Sequence, residues 1–262
     1  MNRIDNFFET GRKAFIPYIT AGCPTVDDTV GIMHLLVEQG ADIIELGYPF
    51  SDPTADGPVI QAASQAALTA GFTRQDYLDI LRSFRERDAD TPVVTFGYYN
   101  PVFRRGVREF AAAVKEAGAD ALLVVDLPME EQGELRSVLD DLGMHLIQLV
   151  APTTPDGRVA QILKRATGFV YQISRRGVTG VQGDLAVDAE ALVQRAKALT
   201  SLPVVLGFGI ADGAQAGKVA RAADGVVAGS VIMQTIQDNG PDWSAPLGEK
   251  AKELADAIHG AG

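Results

Sequence analysis

The chain has 262 residues, a length that allows one large domain or two average ones. Its formal net charge of −11 at pH 7 argues against binding to DNA or RNA, because nucleic-acid-binding proteins concentrate Lys and Arg. Apolar residues make up 47% of the chain and charged residues 22%, a composition that excludes intrinsic disorder.

Short apolar segments alternate with longer helical ones along the chain. A helix is predicted at residues 3–11, before the first strand, and a final amphipathic helix follows Ala245 and ends near His259. Eight candidate strands lie at residues 15–20, 42–46, 93–96, 121–125, 146–150, 169–173, 204–206 and 225–227. Intervening helices are predicted at residues 30–39, 73–87, 107–117, 131–142 and 189–198. This alternation predicts parallel strands joined by right-handed crossovers.

Several of these units end in the same way, with two small residues followed by an aspartate. The three examples are Gly40-Ala41-Asp42, Gly118-Ala119-Asp120 and Ala222-Ala223-Asp224. Eight units of about 25 residues favour a closed barrel over the alternative, a doubly wound open sheet of about five or six strands. No linker divides the chain. We therefore predict an α/β fold, a single (β/α)8 TIM barrel domain over residues 1–262, with an extra N-terminal helix and extra helices in the loops.

The N-terminal region and the single cysteine bear on location. Cys23 cannot form an internal disulfide, and residues 1–12 mix charged and apolar side chains instead of forming an export signal. No apolar run approaches the ~20 residues needed to cross a bilayer. The sequence predicts a cytoplasmic protein that does not enter a membrane.

Glu45 ends the second predicted strand. Alternation along that strand directs Ile44 and Leu46 toward the helices, and Ile43 and Glu45 into the barrel. A carboxylate in an apolar interior is costly unless it is paired or used, and desolvation raises its pKa toward the range of a general acid–base. The alternative is a structural glutamate held by a neighbouring arginine.

The loop at residues 47–58 follows this strand and contains three prolines, two glycines, and the aspartates Asp52 and Asp56. Barrel enzymes build their active sites from loops at this end of the strands. From the residues alone, however, Asp56 is better explained as a cap for the helix that starts near Val59.

Three glycine-bearing junctions occur in the last three units, at residues 177–180, 207–210 and 228–230. Such late loops and helix N-termini commonly bind phosphate in barrels, because small residues let backbone N–H groups approach an anion. One junction alone would be weak evidence, since glycine also serves tight turns, but together they predict a phosphorylated substrate. The connection at residues 174–186 carries three glycines and is expected to close over the barrel mouth as a lid.

Other side chains carry weaker signals. The aromatic residues at or near strand ends, which could line a pocket or belong to the core, are Tyr18, Tyr98, Tyr99, Tyr171 and Phe208. No metal-ligand spacing relates the chain's three histidines, which are His34, His145 and His259. We predict no metal site.

Six motifs together resemble those of a known family. They are FIPYITAGCP at 15–24, ELGYPFSDPTADGPVIQ at 45–61, YYNPVF at 98–103, DLP at 126–128, YQISRRGVTG at 171–180 and GFGI at 207–210. The set resembles the tryptophan synthase α-chain family and follows the family's order through nearly the whole chain. The stretch around Glu45 and Asp56 is highly specific, whereas GFGI alone occurs in many phosphate-binding barrels.

The resemblance implies a lyase that cleaves indole-3-glycerol phosphate into indole and D-glyceraldehyde 3-phosphate in tryptophan biosynthesis. It makes Glu45 the acid–base catalyst, and it makes Asp56 the group that meets the indole ring as positive charge develops there. This role replaces the helix-cap interpretation of Asp56. The residues expected to bind substrate are Tyr18, Tyr98, Tyr171, Thr179, Gly180, Phe208, Gly209, Gly229 and Ser230.

The resemblance also implies a partner. A tryptophan synthase β-chain would receive the indole in an α2β2 heterotetramer, and pyridoxal phosphate is expected only in that β-chain, with no cofactor in this one. The chain departs from the commonest family pattern at Cys23, Tyr48 and Thr54. None of the three departures threatens the catalysis that the resemblance implies. Thr54 and Asp52 lie in the loop that meets the β-chain in this family, so the Thr54 departure concerns the partnership.

Three alternatives remain beside this interpretation. A free-standing indole-3-glycerol-phosphate lyase would carry the same motifs. The second is another phosphosugar barrel, such as an isomerase or an aldolase; a Schiff-base aldolase would need a lysine at a strand end, and none of the predicted strands has one. A non-catalytic barrel that activates a partner would lack Glu45 or Asp56, and both are present.

Overall fold

The computed structural model describes residues 2–174, 185–207 and 209–262. Within these ranges the strands are β1 (Ala14–Thr20), β2 (Ile44–Gly47), β3 (Val93–Gly97), β4 (Ala121–Val124), β5 (His145–Leu146), β6 (Gln148–Val150), β7 (Val170–Ile173), β8 (Val204–Gly207) and β9 (Gly225–Ala228). They form one sheet in the order β5-β4-β3-β2-β1-β9-β8-β7-β6, and every pairing is parallel. The predicted α/β barrel is confirmed.

The fifth predicted strand is interrupted at Ile147. Its first part, β5, pairs with β4, and its second part, β6, pairs with β7. The Ile147 N–H donates to the carbonyl of Leu122 at 2.9 Å. One broken strand therefore bridges the two edges of the sheet and brings the barrel close to closure, a detail that a run of apolar residues does not reveal.

Helices follow most strands, as predicted. The described α-helices are α1 (Arg3–Phe8), α2 (Val26–Glu38), α3 (Pro58–Thr69), α4 (Arg74–Arg85), α5 (Tyr99–Arg105), α6 (Val107–Ala117), α7 (Gly133–Asp141), α8 (Asp156–Leu163), α9 (Leu185–Lys197), α10 (Gly213–Ala222), α11 (Ser230–Asn239) and α12 (Ser244–His259). The extra N-terminal helix and the surplus helix are α1 and α4. Among the described helices, none has the length and apolar character of a membrane span.

Side chains on the barrel wall divide into two layers. Ile44 and Leu46 belong to the large cluster between the sheet and the helices, whereas Ile43 belongs to a separate interior cluster. This is the predicted alternation along β2. Ile4 of α1 is fully buried in the interior cluster, so α1 covers the N-terminal end of the barrel. The site-bearing end is therefore the opposite one, where the strands reach their C-termini.

The three aspartates that end the repeated tripeptides share one hydrogen-bond arrangement. Each N–H donates to the carbonyl of a residue at the start of a neighbouring strand, and each carboxylate accepts the N–H of that same residue, at 2.8 to 2.9 Å. The pairs are Asp42 with Phe15, Asp120 with Val93, and Asp224 with Val204. We call these contacts the aspartate clamps.

Basic side chains contact the carboxylate of each clamp. They are Arg12 and His259 at Asp42, Arg3 and Arg85 at Asp120, and Lys197 at Asp224. The clamps therefore tie the strand starts to α1, to α4, to α9 and to the final helix. The sequence pattern showed these aspartates at the junctions between helices and strands, but not these ion pairs.

We predict that Asp120→Ala lowers the free energy of unfolding by about 3 kcal/mol, because it removes the ion pairs of this carboxylate with Arg3 and Arg85 and leaves the buried Val93 N–H without its acceptor. Asp79→Ala is the control, since it breaks an exposed ion pair with Arg82 and should leave the urea midpoint unchanged. Equal midpoints for the two variants would contradict the clamp interpretation.

Candidate active site

Glu45 lies inside the barrel near the C-terminal end of β2. It is paired in register with Tyr18 of β1 and Val94 of β3, and it is only 1% exposed. Among the described residues, its Oε1 atom has no hydrogen-bond partner and no ion pair includes this glutamate. Within the described ranges no arginine holds Glu45, so the alternative of a structural glutamate gains no support there. Burial raises the pKa of Glu45 to about 8, so the group is mostly protonated at neutral pH.

Asp56 lies in the loop between β2 and α3. The residue at the N-cap of α3 is Gly57, which has no side chain that could cap the helix. The helix-cap interpretation of Asp56 is therefore wrong. Its carboxylate instead accepts a hydrogen bond from the Tyr98 hydroxyl, with 3.0 Å between Tyr98 Oη and Asp56 Oδ2. Burial raises the pKa of Asp56 to about 6, and the Tyr98 hydrogen bond opposes that rise.

Two tyrosines lie close enough to both carboxyls to interact with them electrostatically. Tyr18 on β1 and Tyr171 on β7 are buried, and burial is the main reason that their pKa values lie well above the usual range. The charges of Asp56 and Glu45 raise both values further. From the sequence these tyrosines could line a pocket or belong to the core. The structure places them in one cluster with the two carboxyls.

Two glycines at strand ends give the tyrosine hydroxyls room. A Cβ on Gly47 would lie 2.1 Å from Tyr18 Oη, and a Cβ on Gly207 would lie 2.1 Å from Tyr171 Oη. Any side chain at either position would displace the ring. Sequence reasoning missed the part played by Gly47, and the only available signal was a glycine at the end of a strand whose neighbour carries a tyrosine.

The described phosphate residues, Gly209, Gly229 and Ser230, directly follow the neighbouring strands β8 and β9. Gly209 has a φ of 80°, which favours glycine, and Gly229 immediately precedes Ser230, the first residue of α11. The first-turn N–H groups of a helix have no acceptor within the helix, so they can bind an anion. A Cβ on Gly229 would lie 3.5 Å from the Tyr18 side chain, which places this helix end beside the carboxyl cluster.

Three predicted site residues, Thr179, Gly180 and Phe208, lie outside the described residues, as does most of the predicted lid at 174–186. The described part of the site is formed by the ends of β1, β2, β3, β7, β8 and β9. These strands are contiguous in the sheet order, which explains how residues far apart in sequence meet.

Residues without a predicted site role lie elsewhere. His34 packs against Phe84, and His145 and His259 contact Asp5 and Asp42. Burial raises the pKa of Cys23 to about 11, so its thiol is not activated. A search of the described residues finds no group of three or more His, Cys, Asp or Glu side chains that could hold a metal ion.

Comparison with known proteins identifies relatives along almost the full chain. Residues 4–259 match the family described as "Tryptophan synthase alpha chain". The tryptophan synthase alpha chain of Caulobacter sp. (strain K31) is 45% identical over 272 aligned positions, which cover 99% of this chain and 97% of the relative.

Solved structures that resemble this chain come from the same family. Tryptophan synthase subunit alpha from Legionella pneumophila str. Paris superposes with a TM-score of 0.90 at 38% identity and covers 98% of each chain. A chain from the tryptophan synthase α2β2 complex of Pyrococcus furiosus gives a TM-score of 0.83 at 37% identity, over 93% of this chain and 98% of that one.

The buried Glu45 predicts a specific dependence of stability on pH. A carboxyl whose pKa rises from 4.5 to about 8 on folding binds more protons in the native state, so stability falls as pH increases between these values. By pH 7 the loss is about 3 kcal/mol. Glu45→Gln cannot titrate, so it should gain that amount over wild type between pH 4.5 and pH 7.

Urea unfolding at a series of pH values measures this difference. Glu130→Gln serves as the control, because hydrogen bonding to Arg158 lowers the pKa of Glu130 to about 2 and its difference from wild type should be flat above pH 5. If the curves for wild type and Glu45→Gln stay parallel, the Glu45 carboxyl does not titrate as the geometry requires.

Proposed function

The chain belongs to the tryptophan synthase α-chain family, and from this premise we propose that Glu45 and Asp56 carry out its reaction. That reaction is the carbon–carbon lyase step that cleaves indole-3-glycerol phosphate into indole and D-glyceraldehyde 3-phosphate. The observation that carries the proposal is the Glu45 carboxyl, which is buried at the barrel mouth and has no hydrogen bond from the described residues to its Oε1 atom.

Glu45 moves a proton in both halves of the proposed reaction. With a pKa of about 8 it is protonated at neutral pH and donates its proton to indole C3, which leaves positive charge on the ring. Its carboxylate then takes the proton of the hydroxyl on the glycerol carbon attached to C3. The C–C bond breaks, its electron pair returns to the ring, and the hydroxyl carbon becomes an aldehyde. Glu45 ends in the protonated form in which it began.

Asp56 stabilises the charge that appears between these two steps. Its pKa of about 6 leaves it mostly ionised at neutral pH, and it is 7% exposed, so little water screens it. A fixed anion beside the ring favours the C3-protonated intermediate over the neutral substrate. Two carboxyls in different settings therefore provide one mobile proton and one fixed charge.

The phosphate group of the substrate binds at the start of α11 in this proposal. Gly229 and Ser230 present first-turn N–H groups there, and Gly209 follows the adjacent strand. Tyr18, Tyr98 and Tyr171 would line the indole side. Thr179, Gly180 and Phe208 are included on the family resemblance alone.

The partner in this proposal is a tryptophan synthase β-chain. The related Pyrococcus furiosus chain comes from an α2β2 complex, and 37% identity over 93% of this chain supports the same assembly here. This chain would pass indole to the β-chain, which alone would hold pyridoxal phosphate. We propose that residues 1–262 act as one domain in the cytoplasm, without a cofactor of their own.

We predict that Glu45→Gln lowers kcat for indole release by about 10² to 10⁴, because the amide keeps the shape of the side chain but cannot carry a proton. The affinity for substrate should change little. The measurement is indole formation from indole-3-glycerol phosphate, alongside binding of the substrate to the variant. A variant that retains more than about half of the wild-type kcat would remove Glu45 from this role.

We predict that Gly229→Asp weakens the binding of indole-3-glycerol phosphate and of glyceraldehyde 3-phosphate, because a carboxylate at the start of α11 would repel their phosphate groups. Gly229→Ala is the matched control: its Cβ would make ordinary contacts at 3.5 Å with Tyr18 and 3.7 Å with Ile60. Calorimetric titration with glyceraldehyde 3-phosphate and with indole separates the two effects, since indole binding should persist. Equal affinity of the two variants for glyceraldehyde 3-phosphate would place the phosphate elsewhere.

A further inference from the structure

We propose that Tyr98 is a positioning residue that acts through Asp56, by fixing the loop after β2 and its carboxylate to the barrel wall. This inference rests on the proposed function, because it assumes that the Asp56 carboxylate faces the reacting ring. It gives Tyr98 a task beyond lining the pocket. The argument comes from the hydroxyl, the ring and the backbone of this tyrosine.

The Tyr98 hydroxyl binds two consecutive residues of the loop. It donates to Asp56 Oδ2 and accepts from the backbone N–H of Ala55, and both distances are 3.0 Å. One hydroxyl has a single proton to give and lone pairs to accept with, so this arrangement uses it in both directions. The backbone at Ala55 and the carboxylate at Asp56 are thereby fixed relative to each other.

The Tyr98 ring holds the loop at a second place. The Phe50 ring stacks on it with 5.0 Å between centroids and 27° between planes. Tyr98 itself is only 4% exposed. The loop is therefore attached to this one side chain both near its beginning, at Phe50, and near its end, at Ala55 and Asp56.

The backbone around Tyr98 is anchored to the barrel. The carbonyl of the preceding Gly97 accepts the N–H of Val125 at 3.0 Å, and the N–H of the following Tyr99 donates to Asp126 Oδ1 at 2.7 Å. Tyr98 thus stands between β3 and α5 with both neighbours bound to residues that follow β4. A rigid support of this kind can hold a catalytic group within the narrow limits that catalysis requires.

Other contacts of the loop do not fix the carboxylate. The Asp56 N–H donates to the carbonyl of Pro53 at 3.1 Å, and the Gln61 side chain donates to the carbonyl of Asp56 at 2.8 Å. These bonds order the backbone locally. Among the described residues, only Tyr98 hydrogen-bonds the Asp56 carboxylate, so the direction of that carboxylate depends on this hydroxyl.

The same hydrogen bond favours the ionised form of Asp56. Burial raises the pKa of Asp56 to about 6, and donation from Tyr98 acts against that rise. Tyr18, Tyr171 and Glu45 share this cluster and all remain neutral near pH 6. The charge of Asp126 also acts on Tyr98. Removing the hydroxyl should therefore raise the pKa of Asp56 and move the acid limb of the rate profile to higher pH.

The test is Tyr98→Phe, which removes the hydroxyl and keeps the ring on which Phe50 stacks. We expect the acid limb of kcat/KM for indole release to move up by about one pH unit, and kcat to fall about tenfold with a smaller change in KM. Tyr48→Phe is the matched control. Tyr48 packs against Tyr77 and Phe110 on the outer side of the sheet, and its loss of a hydroxyl should leave the profile unchanged.

A double-mutant cycle tests whether the effect of Tyr98 on the rate depends on the Asp56 carboxylate. If Tyr98 acts through Asp56, then Tyr98→Phe should cost less than about twofold in an Asp56→Asn background. An unmoved acid limb, or a full tenfold loss in that background, would overturn the proposal while leaving the proposed function intact.

An NMR titration of the Asp56 carboxyl in wild type and in Tyr98→Phe needs no turnover. A wild-type protein that releases no indole would refute the proposed function. The titration would then still decide whether Tyr98 controls the ionisation of Asp56, and equal midpoints would refute that link.

Discussion

The burial of the Glu45 carboxyl is the constraint on which the rest of this site depends. Glu45 of β2 lies inside the barrel, where the interior cluster includes apolar residues such as Ile43 and Val94. A positively charged partner there would stabilise the carboxylate and keep it ionised at neutral pH. Because the described surroundings offer none, the group keeps its proton near neutral pH and can release it to a substrate. The apolar residues around Glu45 therefore serve the proposed reaction as well as the packing of the core, because they keep this carboxyl protonated.

The second carboxyl shows how a small difference in surroundings separates two roles. Asp56 is also buried, but the hydroxyl of Tyr98 donates a hydrogen bond to one of its carboxylate oxygens. Burial raises the pKa of Asp56 to about 6 and that of Glu45 to about 8, and the hydrogen bond from Tyr98 adds to this difference because it favours the Asp56 anion. Between these two values Glu45 is mainly an acid and Asp56 mainly an anion. The Tyr98 hydroxyl therefore helps to separate the pKa values of the two carboxyls, and with it the pH range in which a proton donor and a fixed negative charge coexist.

Much of the fold and part of the site could be predicted from local sequence rules. Alternation along β2 correctly placed Glu45 inside and Ile44 outside, because the side-chain period of a strand does not depend on its partners. Asp56 was misread as a cap from its residues alone, since its true partner, Tyr98, lies 42 positions further along the chain. The break at Ile147 escaped prediction for the same reason, because pairing with both sheet edges produces it.

The two ends of the barrel differ in what their carboxylates do for stability. At the N-terminal end, each clamp aspartate has a basic side chain and a backbone N–H as partners in the folded state. At the C-terminal end, Glu45 has no such partner among the described residues and costs stability above pH 4.5. Adding a partner would recover that stability and remove the proton that the reaction needs. Stabilising contacts can therefore be strengthened at the closed end without touching catalysis, whereas the same change at the mouth would oppose it.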